Sequence, residues 1–117
     1  MNYTIYHNPR CGTSRSVLAA LQAAGITPHI VEYLKTPPTR SEIAELGRRA
    51  GGGVRGLLRE KEAAYAERGL GDLALSDEAL LDAIEAEPVL LNRPIVVSPK
   101  GVRLCRPAET VQALLPG

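Results

Sequence analysis

Apolar residues recur along this chain in two rhythms, one of strands and one of helices. Tyr3 to Tyr6 reads as a short strand, and Val17, Leu18, Leu21 and Ala24 then fall on one face of a helix over residues 14–24, closed by Gly25. His29 to Tyr33 reads as a second strand. Thr36-Pro-Pro-Thr39 breaks the pattern, and Thr39 with Glu42 has the spacing of a capping box that opens a helix over 41–50, stopped by Gly51-Gly-Gly53. Residues 54–60 and 62–68 read as short helical pieces, and Ser76 opens another helix that runs to about Glu87 and ends at Pro88. The apolar run from Val89 to Val97 is interrupted by Arg93, and Pro99-Lys-Gly101 before Val102 to Cys105 signals a hairpin. Pro107 suits the first turn of a last helix, with Val111, Leu114 and Leu115 on its apolar side.

The order is therefore βαβ, a helical middle, then ββα. A strand, helix and strand within about 30 residues form a parallel crossover unit, so the first helix begins at the carboxyl end of a strand, where α/β folds place their sites. At 117 residues with 44% apolar content, the chain is expected to be one α/β domain over 1–117, with a helical insertion about 39–87. It has no Phe or Trp and only four Tyr, so Leu, Ile, Val and Ala must build the core and bases have few stacking platforms. A net charge of +1 supplies no broad basic face, which argues against nucleic acid as partner. Eleven of the 14 basic residues are Arg, the better fork for oxyanions, so anion binding is expected to be local. Two cysteines are too few for a disulfide scaffold, and a reducing cytoplasm suits them. The first residues lack a signal peptide's apolar stretch, and no apolar run has bilayer length, so no membrane partner is expected.

The chemistry concentrates where His7-Asn-Pro-Arg10-Cys11-Gly-Thr-Ser-Arg15 carries the first strand through a turn into the first helix. A thiol there meets the unpaired N–H groups of the first helical turn, whose partial positive charge favours an anion. His7 and Arg15 flank the same position. An ordinary thiol titrates near pH ~8.5, and such surroundings bring it down to roughly 3.5 to 7.5, which makes Cys11 a candidate nucleophile. Arg93 is the second informative residue, because a guanidinium within an apolar run must find a counter-charge or reach water. A structural ion pair would satisfy it equally well. It precedes Pro94, and since only about 5 to 6% of such bonds are cis, the residues alone predict trans. Arg106 follows the closing hairpin and Arg59 lies in the helical middle. Three arginines meeting one thiolate would hold a tetrahedral oxyanion while the sulfur approaches its central atom. The triple glycine is not a phosphate loop, since no Gly-Lys-Ser/Thr follows it.

Taken together, His7-Asn-Pro-Arg-Cys11-Gly-Thr-Ser-Arg15, Thr36-Pro-Pro-Thr-Arg40, Leu57-Leu-Arg59, Leu91-Asn-Arg93-Pro94-Ile-Val-Val97 and Arg103-Leu-Cys105-Arg106-Pro107 resemble, in order and spacing, the glutaredoxin-linked arsenate reductases. The resemblance covers nearly the whole chain. It implies a thioredoxin-like fold with a mixed four-stranded sheet and an inserted helical region, and a cis bond at Arg93–Pro94. It also implies that Cys11 attacks arsenate held by Arg59, Arg93 and Arg106, that His7 helps keep the thiol ionised, and that Arg15 and Pro94 support the site. Glutathione is the implied co-substrate and glutaredoxin the implied partner, with no metal or bound prosthetic group. Arg10 stands where the family carries a small residue, and Gly56 and Glu60 flank Arg59 where Ala and Lys are familiar. Cys105 matches a cysteine that is not the nucleophile and reads as core packing.

Three other functions remain to be weighed. A disulfide-stress transcriptional regulator of the same superfamily commonly carries Cys-x-x-Cys, and position 14 here is Ser. A monothiol glutaredoxin-like oxidoreductase would need no arginines at 59, 93 and 106. A phosphatase-like arsenate reductase needs Cys-x5-Arg, whereas the first arginine after Cys11 comes four residues on.

Overall fold

The computed structural model describes residues 2–116. Its chain forms two compact units: Pro37–Asn92 is one, and the segments on either side of it form the other.

The flanking segments build a four-stranded sheet in the order β2-β1-β3-β4. Strand β1 (Thr4–His7) leads through the turn at 8–11 into helix α1 (Gly12–Ala23) and then β2 (His29–Glu32). β1 and β2 run parallel, with Thr4 opposite His29 and His7 opposite Glu32. On its other side β1 is antiparallel to β3 (Ile95–Ser98), which pairs through a tight hairpin with β4 (Gly101–Leu104). Ser98 shapes that hairpin: its hydroxyl accepts from the Lys100 N–H at 3.1 Å and donates to the Gly101 carbonyl at 3.1 Å. Gly101 has a φ of 132°, a region that L side chains rarely adopt.

The apolar rhythms of the sequence meet on the α1 side of this sheet. Ile5 of β1 and Val96 of β3 pack with Val17 and Leu21 of α1 and with Val111 and Leu114 of the C-terminal segment. That segment is a 3-10 helix over Ala108–Leu114 rather than the expected α-helix, and the Tyr3 hydroxyl ties it to the first strand by donating to the Leu114 carbonyl.

The middle unit contains helices α2 (Arg40–Ala50), α3 (Ala63–Glu67) and α4 (Asp77–Ala86), with 3-10 turns at Arg55–Leu57 and Pro88–Leu90. The capping box opens α2: the Glu42 N–H donates to Thr39 Oγ1 at 3.1 Å, and the Thr39 N–H donates to Glu42 Oε1 at 3.4 Å. Arg40 joins α2 to α4 through bonds of 2.8 Å to both Glu78 and Asp82. The helical piece expected over 54–60 stops at Leu57, because Leu58 turns extended and pairs with Leu91. The Arg59 N–H donates to the Leu90 carbonyl at 2.8 Å and the Asn92 N–H to the Leu57 carbonyl at 2.7 Å. The apolar run at 89–97 is thus divided, its first part a turn and only 95–98 a strand. Arg93–Pro94 is cis, against the expectation from the residues alone and as the resemblance implies; Arg106–Pro107 is cis as well. No helix among the described residues is long and apolar enough to cross a membrane.

Candidate active site

Cys11 holds the capping position of α1 in extended conformation, the place usually taken by Ser, Thr, Asp or Asn. Its N–H donates to the Asn8 carbonyl at 3.0 Å, and its own carbonyl accepts from the Arg15 N–H at 3.0 Å. The turn is clamped from both ends. Asn8 is buried, its N–H donating to Ser14 Oγ at 3.2 Å and its Oδ1 accepting from the Arg10 N–H at 3.0 Å. Arg15 closes the outer side by donating to the Pro9 carbonyl at 2.9 Å. Ser14 is itself fully buried. These bonds fix the helix start so that the Ser14 and Thr13 N–H groups address the Cys11 sulfur.

The closing hairpin brings two arginines to that sulfur. In the register of β3 and β4, Ile95 faces Leu104, and one step further the Cys105 N–H donates to the Pro94 carbonyl at 2.8 Å. Arg93 and Arg106 therefore leave the same open end of the hairpin. Arg106 Nη1 lies 3.4 Å from Cys11 Sγ and 3.0 Å from the Arg93 carbonyl oxygen. The Arg93 side chain also hydrogen-bonds the thiol. Burial alone would push the thiol up; the Ser14 N–H, the Arg106 and Arg93 side chains and the Thr13 N–H outweigh it and bring Cys11 down to about 7. A sulfur ionised at neutral pH beside two guanidinium groups can receive an anion and attack its central atom.

The other candidates take different positions. His7, at the end of β1, has its pKa lowered by burial, with Glu32 opposing and Arg15 reinforcing the shift. Its imidazole is consequently neutral near pH 7, and its Nδ1 has no hydrogen-bond partner among the described residues. Arg15 binds the turn's backbone as a brace. Arg59 belongs to the middle unit, where its guanidinium is 3.4 Å from Asn92 Oδ1 and 3.7 Å from Glu62 Oε2. Pro94 offers its carbonyl to Cys105. Cys105 itself is buried in the core, and desolvation pushes its thiol up to about 11. No cluster of three metal-ligating side chains occurs among the described residues. Residue-by-residue reading of the sequence missed Asn8 and Ser14. The only signal was their polarity on either side of a cysteine at a helix start.

Comparison with known proteins places this arrangement. The model of the ArsC family matches residues 6–114. An arsenate reductase of Rhizobium meliloti (strain 1021) is 56% identical over 116 residues, which cover 99% of this chain and 83% of that protein. An arsenate reductase of Escherichia coli (strain K12) is 50% identical over 115 residues, covering 98% and 82%. The solved structure of an arsenate reductase from Vibrio cholerae superposes with a TM-score of 0.92 at 44% identity, covering 98% of both chains. With its mixed four-stranded sheet in the thioredoxin-like arrangement, this chain belongs to the ArsC family.

Proposed function

We propose that this chain is an arsenate reductase that converts arsenate to arsenite through a covalent adduct on Cys11, resolved by glutathione and glutaredoxin. The observation that carries the reading is the Cys11 thiol brought down to about 7 with Arg106 Nη1 at 3.4 Å from its sulfur. The names borne by the relatives at 50 and 56% identity support the choice of oxyanion.

In this reading Arg59, Arg93 and Arg106 hold the arsenate oxygens, and the charge-assisted forks favour the anion over water. The Cys11 thiolate attacks arsenic. A sulfur–arsenic bond forms, an arsenic–oxygen bond breaks, and the departing oxygen leaves as water, with arsenic still pentavalent. His7, whose imidazole is neutral near pH 7, helps keep the thiol ionised. Glutathione adds its sulfur to the adduct and releases a second water. The glutaredoxin thiolate then attacks the glutathione sulfur; a mixed disulfide forms, the electron pair of the arsenic–sulfur bond stays on arsenic, and arsenic becomes trivalent. Water frees arsenite and restores the Cys11 thiolate. The two electrons come from the two external thiols, so this chain needs no second redox cysteine of its own. Ser14, three residues after Cys11, and a buried Cys105 agree with that economy.

The test is turnover of arsenate in an assay coupled through glutathione, glutaredoxin and an NADPH-dependent recycling enzyme. Cys11→Ser is expected to abolish turnover, and Arg93→Ala or Arg106→Ala to lower it on the order of 10²-fold, the scale of losing one donor to a developing anion. Full turnover by Cys11→Ser overturns the proposal. Reduction of small disulfides without reduction of arsenate assigns the chain to monothiol oxidoreductases instead.

A further inference from the structure

We infer that the hollow on the β2 side of the cysteine turn is the seat of the glutathione co-substrate, with Arg10 and Lys35 taking its two carboxylates and Glu32 its ammonium. This rests on the function proposed above. The hollow has a volume of about 420 Å³, within the range of roughly 300–1,000 Å³ usual for small-molecule sites. One wall is the turn from His7 to Arg10, immediately before Cys11; the other is Glu32, Leu34 and Lys35 at the end of β2. Strand order puts the end of β1 between β2 and β3. The arginines that face the sulfur leave the β3–β4 hairpin, so the oxyanion lies on one side of Cys11 and the hollow opens on the other. A second thiol arriving from the hollow meets an arsenic atom held between them.

The charges match the tripeptide. Glutathione carries two carboxylates and one ammonium at neutral pH, a net charge of −1. The hollow offers Arg10 and Lys35 against Glu32, with His7 neutral, a net charge of +1. Arg10 makes no ion pair among the described residues, and Lys35 Nζ lies 3.4 Å from Glu32 Oε1 on a side chain that is 78% exposed. Leu34 is 42% exposed and supplies an apolar wall for the methylene groups of the ligand.

The experiment titrates S-methylglutathione, which cannot react, into the reduced full-length protein and follows backbone amides by NMR. Shifts are expected at the amides of residues 8, 10 and 32–35. Arg10→Ala and Lys35→Ala should each weaken this binding roughly two- to fivefold, the scale of one exposed charge contact. The glutathione concentration giving half-maximal turnover should rise by the same factor, while the KM for arsenate and the pH at which Cys11 ionises stay unchanged. Shifts confined to other residues, or affinity unaltered in both variants, overturn the seat. So does inorganic phosphate if it produces the same shifts as readily, since the hollow would then be a general anion site. Normal arsenate turnover without binding in the hollow leaves the proposed function standing and removes the seat. Binding in the hollow without any arsenate turnover does the reverse.

Discussion

At Cys11 two opposing effects act on one atom, and their magnitudes decide what the residue can do. Partial burial disfavours the thiolate, yet two backbone N–H groups and two guanidinium groups take the thiol from 9.0 to about 7. Because the pKa is lowered, the reactive form persists below the pH where an ordinary thiol is protonated, and it is lost as pH falls through about 7. The rate of alkylation of the native protein by iodoacetamide should accordingly rise with a midpoint near pH 7. Arg106→Ala should move that midpoint upward, toward the ordinary thiol value, because it removes the cation at 3.4 Å. A profile identical to that of the unaltered protein would show that the helix start and Arg93 ionise the sulfur without Arg106. The helix start was legible in the sequence, since a strand, a Pro turn and a helix follow one another within 20 residues. Meeting of Arg93 and Arg106 was not, because it depends on hairpin register; nor was the Asn8–Ser14 clamp, which is made of ordinary polar residues whose partners lie on the far side of the cysteine.

Elements whose instructions are local form as expected, whereas the segment at 54–60 answers to a distant partner. The capping box of α2 and the Pro99-Lys100 hairpin are written within four residues each, and both form as expected. Leu58 breaks the helical reading of 54–60 because its extended conformation answers to Leu91, 33 residues away, which no local propensity records. The glycines of this region separate the same two causes. A Cβ at Gly47 would lie 2.5 Å from the Gly53 carbonyl carbon and 2.8 Å from the Val54 nitrogen, both backbone atoms that cannot turn aside. One at Gly56 meets nothing within 4 Å. Gly47→Ala should therefore destabilise the protein by about 1–3 kcal/mol, the usual cost of overpacking. Gly56→Ala should be neutral or stabilising by up to about 1 kcal/mol, because it restricts the unfolded chain. Urea midpoints of the two variants check the contrast. Equal midpoints would mean that the turn at 51–54 yields to accommodate a methyl group.

For the molecule as a whole, the second cysteine reports on the integrity of the sheet unit. Cys105 is fully buried among Ile5, Val17, Leu21 and Val111, and its thiol is raised to about 11, so in the native state it has neither access nor charge with which to react. Near pH 7, brief alkylation of the folded protein should modify Cys11 alone, while alkylation in denaturant should modify both; mass measurement and peptide mapping distinguish these outcomes. Slow modification of Cys105 then requires opening of the core. Leu21→Ala removes a fully buried side chain from that core, which costs about 2–5 kcal/mol. If Cys105 reacts only through global unfolding, its rate should rise by the factor that the same energy imposes on the unfolded population, about 30-fold at the low end. Cys11 should keep its rate and its pH midpoint, because Leu21 lies on the third turn of α1 and touches none of the groups that hold the sulfur. A much smaller rise at Cys105 would mean that the C-terminal 3-10 helix lifts away by itself. The Tyr3 to Leu114 hydrogen bond opposes that opening, and Tyr3→Phe, which removes the bond and leaves the ring, should then accelerate Cys105 more than its effect on global stability accounts for.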